Sequence, residues 1–128
     1  MLTFYYSKAS SALAAHILLL EVGARFETVE IAIPDGAHRT PAFVHINPKG
    51  RIPVLKTPQG TLSENPAILE YIAATHPAAG CVPQGAFAQA QARALCAYLC
   101  ATVHVAFAHI KRGRRWADGD DTLHDMRG

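Results

Sequence analysis

The pattern of apolar and polar positions changes period several times along the chain, and each change marks an element. Leu2 to Tyr6 is apolar and aromatic around Thr3, as a buried strand requires. After the small, polar Ser7-Lys8-Ala9-Ser10-Ser11, the positions Leu13, Ile17 and Leu20 recur at helical spacing, with Leu18 and Leu19 widening the face. Ser10 or Ser11 can cap this helix and Gly23 can end it. Phe26 to Ile33 alternates as a second strand. Pro34 to Arg39 is a polar loop, and Thr40-Pro41 opens a short helix through Ile46.

Val54 to Thr57 reads as a third strand, Pro58-Gln59-Gly60 as a turn, and Thr61-Leu62-Ser63 as its hairpin partner. Asn65-Pro66 then reads as a helix cap followed by the first helical position, with Ala67, Ile68, Tyr71 and Ile72 as the apolar face. Two prolines and two glycines between His76 and Gly85 mark a linker. A long alanine-rich helix from Ala86 to Ile110 follows, ended by Lys111-Arg112-Gly113, and Asp118 to Asp121 can cap one more. The order β-α-β then β-β-α needs one parallel crossover and one hairpin, hence a mixed four-stranded sheet with helices over its faces. The expected division is 1–77 for this α/β domain, 78–85 for the linker and 86–128 for an all-helical part.

Between the two halves of the sheet lies Asn47-Pro48-Lys49-Gly50-Arg51-Ile52-Pro53-Val54-Leu55, a turn that runs into a strand opening on proline. Proline cannot donate to a ladder, so the backbone of its neighbour is left to face something else. A cis Ile52-Pro53 bond suits the tight turn.

Composition narrows the class. Half the residues are hydrophobic and 17% are charged, the balance of a globular chain. A net charge of +2, from 12 Lys and Arg against 10 Asp and Glu, is too mild to imply nucleic acid, and the Lys111 to Arg115 run suits a helix C-terminus anyway. The apolar run Ala12 to Leu20 is too short for a bilayer, and His16 interrupts it, so no membrane partner is expected. Cys81, Cys96 and Cys100 are odd in number with no C-x-x-C, which favours reduced thiols and a cytoplasmic chain. Cys96, Cys100 and His104 fall at i, i+4 and i+8, but about 12 Å of helix between the ends is too far for one ion. No metal is expected.

The chain resembles the glutathione transferase family, specifically its bacterial cysteine-type, beta-class-like branch. The matching marks are Leu2-Thr3-Phe4-Tyr5-Tyr6-Ser7, Asn47-Pro48-Lys49-Gly50-x-Ile52-Pro53, and Ser63-Glu64-Asn65 ahead of Ala67-Ile68, with Tyr98 to His104 resembling the first helix of the family's second domain. The resemblance covers about residues 1 to 110 and implies a thioredoxin-like domain with a cis Pro53, binding glutathione as co-substrate. In the family the turn pairs its backbone with the cysteinyl group, which here falls on Ile52. A Glu-Ser pair grips the γ-glutamyl end, and here it is Glu64 and Asn65. The glycine carboxylate needs a cation, for which His38, Arg39 and Arg51 are the candidates; Lys49 is assigned to the turn.

The family's activating residue stands at the N-terminus of the first helix. Alignment from Tyr6 to His16 puts Ser11 where the branch has cysteine, with Ser10 the fallback. A serine donates a hydrogen bond to the glutathione sulfur, and the helix N-terminus favours the thiolate. Without cysteine, a mixed disulfide with the enzyme cannot form there, so conjugation or thiolate-driven substitution is expected instead of disulfide reduction. His104 matches a histidine of the branch's second domain, while the branch's asparagine seven residues earlier is Ala97. The resemblance implies five or more helices in that second domain, and only one and the start of another stand here. A truncated member is therefore expected, acting as a homodimer on glutathione and a small hydrophobic electrophile. The alternatives are a non-catalytic binding or interaction module and a glutathione-dependent isomerase or dehalogenase.

Overall fold

The structure, a computed structural model, describes residues 1–113 together with residues 119 and 124. The helix expected after Asp118 lies outside the described residues. The chain divides into two units, Met1–Pro83 and Gln84–Gly128.

In the first unit, β1 (Leu2–Tyr6) is followed by α1 (Ala12–Glu21), β2 (Phe26–Glu30) and α2 (Pro41–Ile46). Then come β3 (Val54–Thr57), β4 (Gly60–Ser63) and α3 (Asn65–Thr75). The sheet order is β2-β1-β3-β4. β1 and β2 run parallel, with Tyr6 opposite Glu30, while β1/β3 and β3/β4 are antiparallel. The mixed four-stranded sheet expected from the pattern is present.

β2 is shorter than Phe26 to Ile33. β1 ends at Tyr6, so only one further bond forms, from the Ile31 N–H to the Tyr6 carbonyl at 2.7 Å, and the chain then turns away. β4 starts at Gly60, one residue early, because Thr57 Oγ1 accepts from the N–H groups of both Gln59 and Gly60 and tightens the hairpin to two turn residues.

The main core joins Phe4, Ala12, Ala15, Leu19, Leu55, Ile68 and Ile72, and α1 packs on α3. A second cluster, Ile31, Phe43 and Val54, lies under α2. The buried face of α1 is only partly the predicted one, which included the buried Leu19 and the half-buried Leu18. Leu13, Ile17 and Leu20 are exposed, Leu13 and Leu20 by more than 60%, whereas Ala12, Ala15 and Leu19 are buried. The helix is apolar on nearly all sides, so periodicity carried little information about its face. Small Ala12 and Ala15 at i and i+3 allow close approach to neighbouring elements, and that selects the face. Similarly, α3 buries Ile68, Ile72 and Ala73, leaves Tyr71 half-buried and exposes Ala67.

Gly23 ends α1 as expected. With φ at +66° it lets the Ala24 and Gly23 N–H groups bond the carbonyls of Leu19 and Leu20, both at 3.0 Å, a Schellman closure. The long helix of the second unit is also present: α4 (Ala86–Tyr98) continues through a widened π-type turn, Leu99–Val103, into α5 (His104–Arg112). It exposes Phe87, Leu95, Tyr98, Leu99, Phe107 and Ile110. By length and composition, the 25 residues Ala86–Ile110, with a mean hydropathy of 1.4 in the most apolar window, suffice to cross a membrane.

Candidate functional site

Three chain segments of the first unit converge: the entry to α1, the Asn47–Pro53 turn and the entry to α3. The turn is closed by Asn47, which is buried. Its Nδ2 donates to the Arg51 carbonyl at 2.7 Å, and its Oδ1 accepts from the Lys49 N–H at 3.3 Å. Gly50 within the turn has φ of +59°, and a Cβ there would stand 3.1 Å from the His38 carbonyl oxygen. Only glycine fits both conditions. That close approach sets the loop carrying His38 and Arg39 against the turn carrying Arg51. His38 is half-buried, and Arg39 and Arg51 are exposed.

The Ile52-Pro53 bond is cis. Ile52 stands outside both ladders, which begin at Val54, and its side chain packs on both core clusters. Its side chain is thus anchored while its main chain stays outside the ladders, two residues before β3 begins.

At the entry to α1 the two serines differ. Ser10 Oγ donates to the Ser7 carbonyl at 2.6 Å and accepts from the Ala12 N–H at 3.3 Å. Ser11 occupies the N-cap position, is exposed, and makes no capping bond with its side chain. The local bonding is therefore taken up by Ser10, and Ser11 presents a hydroxyl at the positive end of α1.

At the entry to α3, Glu64 precedes the helix with φ of +73° and ψ of +123°, a conformation that costs a non-glycine residue about 1–3 kcal/mol. It places the carboxylate beside the helix N-terminus. Asn65 is the first helical residue and not the cap that the Asn-Pro pair predicts. Its Nδ2 donates to the Ser11 carbonyl across 54 residues at 2.8 Å. The two helix N-termini are thereby tied together.

Lys49 is more than a turn residue. Its Nζ lies 2.8 Å from Glu64 Oε1 and 3.2 Å from Ser63 Oγ. The pair is half in water, at 54% and 57% exposure, so its own contribution is small, about 0–1 kcal/mol. The sequence signal was present in the turn motif, but nothing in it shows that a side chain 15 residues away would meet Lys49.

His104 begins α5 in the second unit and is exposed. Among the described residues, no group of His, Cys, Asp and Glu is placed to hold a metal ion. A hollow of about 270 Å³ lined by Leu2, Arg25, Pro58, Tyr71, Thr75 and His76 lies at the start of β1, the opposite end of that strand from Ser11, and contains none of the candidate residues.

Taken together, the first unit offers two helix N-termini that attract anions, a carboxylate that attracts a cation, one unengaged hydroxyl and a stretch of unladdered backbone. This set matches an extended, zwitterionic peptide-like ligand.

Known proteins resemble this chain in sequence and in fold. The family described as "Glutathione S-transferase, N-terminal domain" matches residues 2–74. A maleylacetoacetate isomerase of Pseudomonas aeruginosa is 27% identical over 107 residues, which is 81% of this chain and 50% of that protein. A glutathione transferase homolog from Sulfitobacter, solved with bound glutathione, superposes with a TM-score of 0.91 at 38% identity, over 98% of this chain and 61% of that one. The beta-class glutathione S-transferase of Sphingomonas chungbukensis gives a TM-score of 0.79 at 33% identity, over 93% of this chain and 59% of that one. The chain thus spans about half to three-fifths of the length of these relatives. Through residues 2–74, which hold Ser11, Ile52, Glu64 and Asn65, it belongs to the glutathione S-transferase N-terminal domain family.

Proposed function

We propose that this chain binds glutathione on its first unit, stabilises the bound thiolate through Ser11 and conjugates it to a small electrophile. The observation that carries the reading is the Asn65–Ser11 bond, which holds the carboxylate of Glu64 and the exposed hydroxyl of Ser11 on two joined helix N-termini. Support also comes from the glutathione bound in the Sulfitobacter relative, whose structure covers 98% of this chain.

Each group then has a task. The ligand's ammonium meets Glu64, whose Oε1 is held by Lys49. Its α-carboxylate meets the N–H groups opening α3. The cysteinyl main chain pairs with Ile52 ahead of Pro53, and His38, Arg39 or Arg51 takes the glycine carboxylate. Ser11 donates to sulfur. The thiol proton leaves to solvent, sulfur attacks an electrophilic carbon, and the leaving group departs with its bonding electrons. Ser10 is spent on Ser7 and Ala12, so it falls out of this role. His104 is kept as a candidate from the second unit on resemblance alone.

A second reading is a glutathione-dependent isomerase, favoured by the similarity to the Pseudomonas aeruginosa maleylacetoacetate isomerase. There the same thiolate adds to a double bond and is expelled again. The reading includes a homodimer and a cytoplasmic chain, as family membership favours, and no disulfide joins Cys81, Cys96 and Cys100. It leaves out a membrane role for Ala86–Ile110, because the Sulfitobacter glutathione transferase homolog superposes over 98% of the chain, a span that takes in most of that helix.

Retention on immobilised glutathione, followed by turnover of an aryl halide and of a cis-olefinic diacid, tests these readings. Failure of retention sinks both. Retention without turnover leaves a binding module, and the electrophile that reacts chooses between conjugation and isomerisation.

A further inference from the structure

We infer that Asn65 is a positioning residue for Ser11: its amide is a clasp that sets the activating hydroxyl at a fixed place relative to the γ-glutamyl grip. This rests on the reading of Ser11 given above. The Nδ2–O bond to Ser11 is 2.8 Å long and joins residues 54 apart in sequence. A carbonyl cannot donate, so the amide orientation is fixed, with the nitrogen toward Ser11 and Oδ1 turned inward. Oδ1 is buried and has no hydrogen-bond partner. Leaving a buried acceptor unmatched is unfavourable, and a residue serving only as a helix cap would spend that oxygen on a backbone N–H. Asn65 instead holds the main chain of Ser11, and with it the direction of the Ser11 Cα–Cβ bond.

Ser11 has no other side-chain anchor. Its hydroxyl makes no cap bond, and Ser10 holds the turn before it. The strained Glu64, the grip for the ligand's ammonium, is the residue immediately before Asn65. Beyond the packing of α1 on α3, this one side chain ties the donor directly to the grip. Loosening it costs alignment of the hydroxyl with sulfur more than it costs binding of the peptide.

The test uses the full chain and the variants Asn65→Ser and Asn65→Asp. Serine is too short to reach the Ser11 carbonyl and keeps a hydroxyl for the ligand, while aspartate keeps the shape and has no donor. Two quantities are read: the pH midpoint at which bound glutathione becomes thiolate, from its ultraviolet absorbance, and the affinity for S-methylglutathione, which has no thiol. Both variants are expected to raise the midpoint by about half a unit or more, a threefold loss in the thiolate-to-thiol ratio (~0.7 kcal/mol). Affinity for S-methylglutathione is read beside it, so that any loss of the γ-glutamyl grip is separated from the shift in the thiol midpoint. If one variant does not fold, as judged by circular dichroism, the other decides. An unmoved midpoint, with or without lost affinity, overturns the clasp while leaving glutathione binding standing. A wild-type chain that binds neither ligand overturns the functional reading and the clasp with it.

Discussion

Replacing each of the two adjacent serines separates folding from chemistry. Ser10 Oγ makes two local bonds, to the Ser7 carbonyl and from the Ala12 N–H, and Ser7 is buried. Ser10→Ala removes a helix-entry bond and leaves that carbonyl short of a donor, so it is expected to cost about 1 kcal/mol, within the range for lost caps. Ser11 makes no side-chain bond and is exposed, so Ser11→Ala is expected to change stability by less than about 0.5 kcal/mol. On bound glutathione the order reverses. A hydrogen bond to a charged group is worth about 1.5–3 kcal/mol, so with Ser11 as the proposed donor its loss is expected to raise the thiol pKa by about one to two units. The sign follows from what is removed. The donor favours the thiolate, so without it the thiol form gains, the thiolate-to-thiol ratio at a given pH falls by about ten- to a hundredfold, and the loss is recovered as pH rises. Denaturant unfolding reads the first quantity and the ultraviolet pH titration of the bound complex reads the second. If Ser10→Ala moves the thiol titration while Ser11→Ala does not, the assignment of the hydroxyl is wrong.

Other substitutions probe the rest of the site and its support. Glu64→Gln removes the charge proposed to meet the ligand's ammonium and is expected to weaken glutathione about tenfold by calorimetry, with stability changed by less than about 1 kcal/mol because the Lys49 pair is exposed. Gly50→Ala adds a Cβ at φ of +59° and 3.1 Å from the His38 carbonyl, so unfolding should show a loss of about 1–3 kcal/mol; no loss would mean the two loops are not so close. Leu19→Ala should cost about 2–5 kcal/mol, whereas Leu13→Ala should cost less than about 1 kcal/mol. The opposite order would put Leu13 rather than Leu19 on the buried face.

The serine pair and the α1 face also show what can be read from residues in a line. The order of elements, the mixed sheet and the glycine that ends α1 follow from local chemistry, glycine after a helix and alternation in strands, whereas the cis Pro53 was implied by the family resemblance. The buried side of α1 did not follow, because leucines surround it and only the alanines that admit neighbouring elements decide. Asn65 looked like a cap because Asn-Pro is a helix-opening pair, yet its amide bonds to a carbonyl 54 residues earlier. Lys49 sat in a turn motif that explained it locally, and its ammonium meets Glu64 from the far side of a hairpin. In each case the deciding contact is non-local, and a periodic pattern carries no record of it.

Docking of glutathione across the entries to α1, β3 and α3 is open to one decisive measurement, the backbone amide shifts seen by NMR during a glutathione titration. Saturable shifts are expected at Ser11 and Ala12, at Ile52 and Val54, and at Glu64, Asn65 and Ala67. Saturation with those amides unmoved, or shifts confined to the hollow around Leu2, Arg25 and His76, would contradict it.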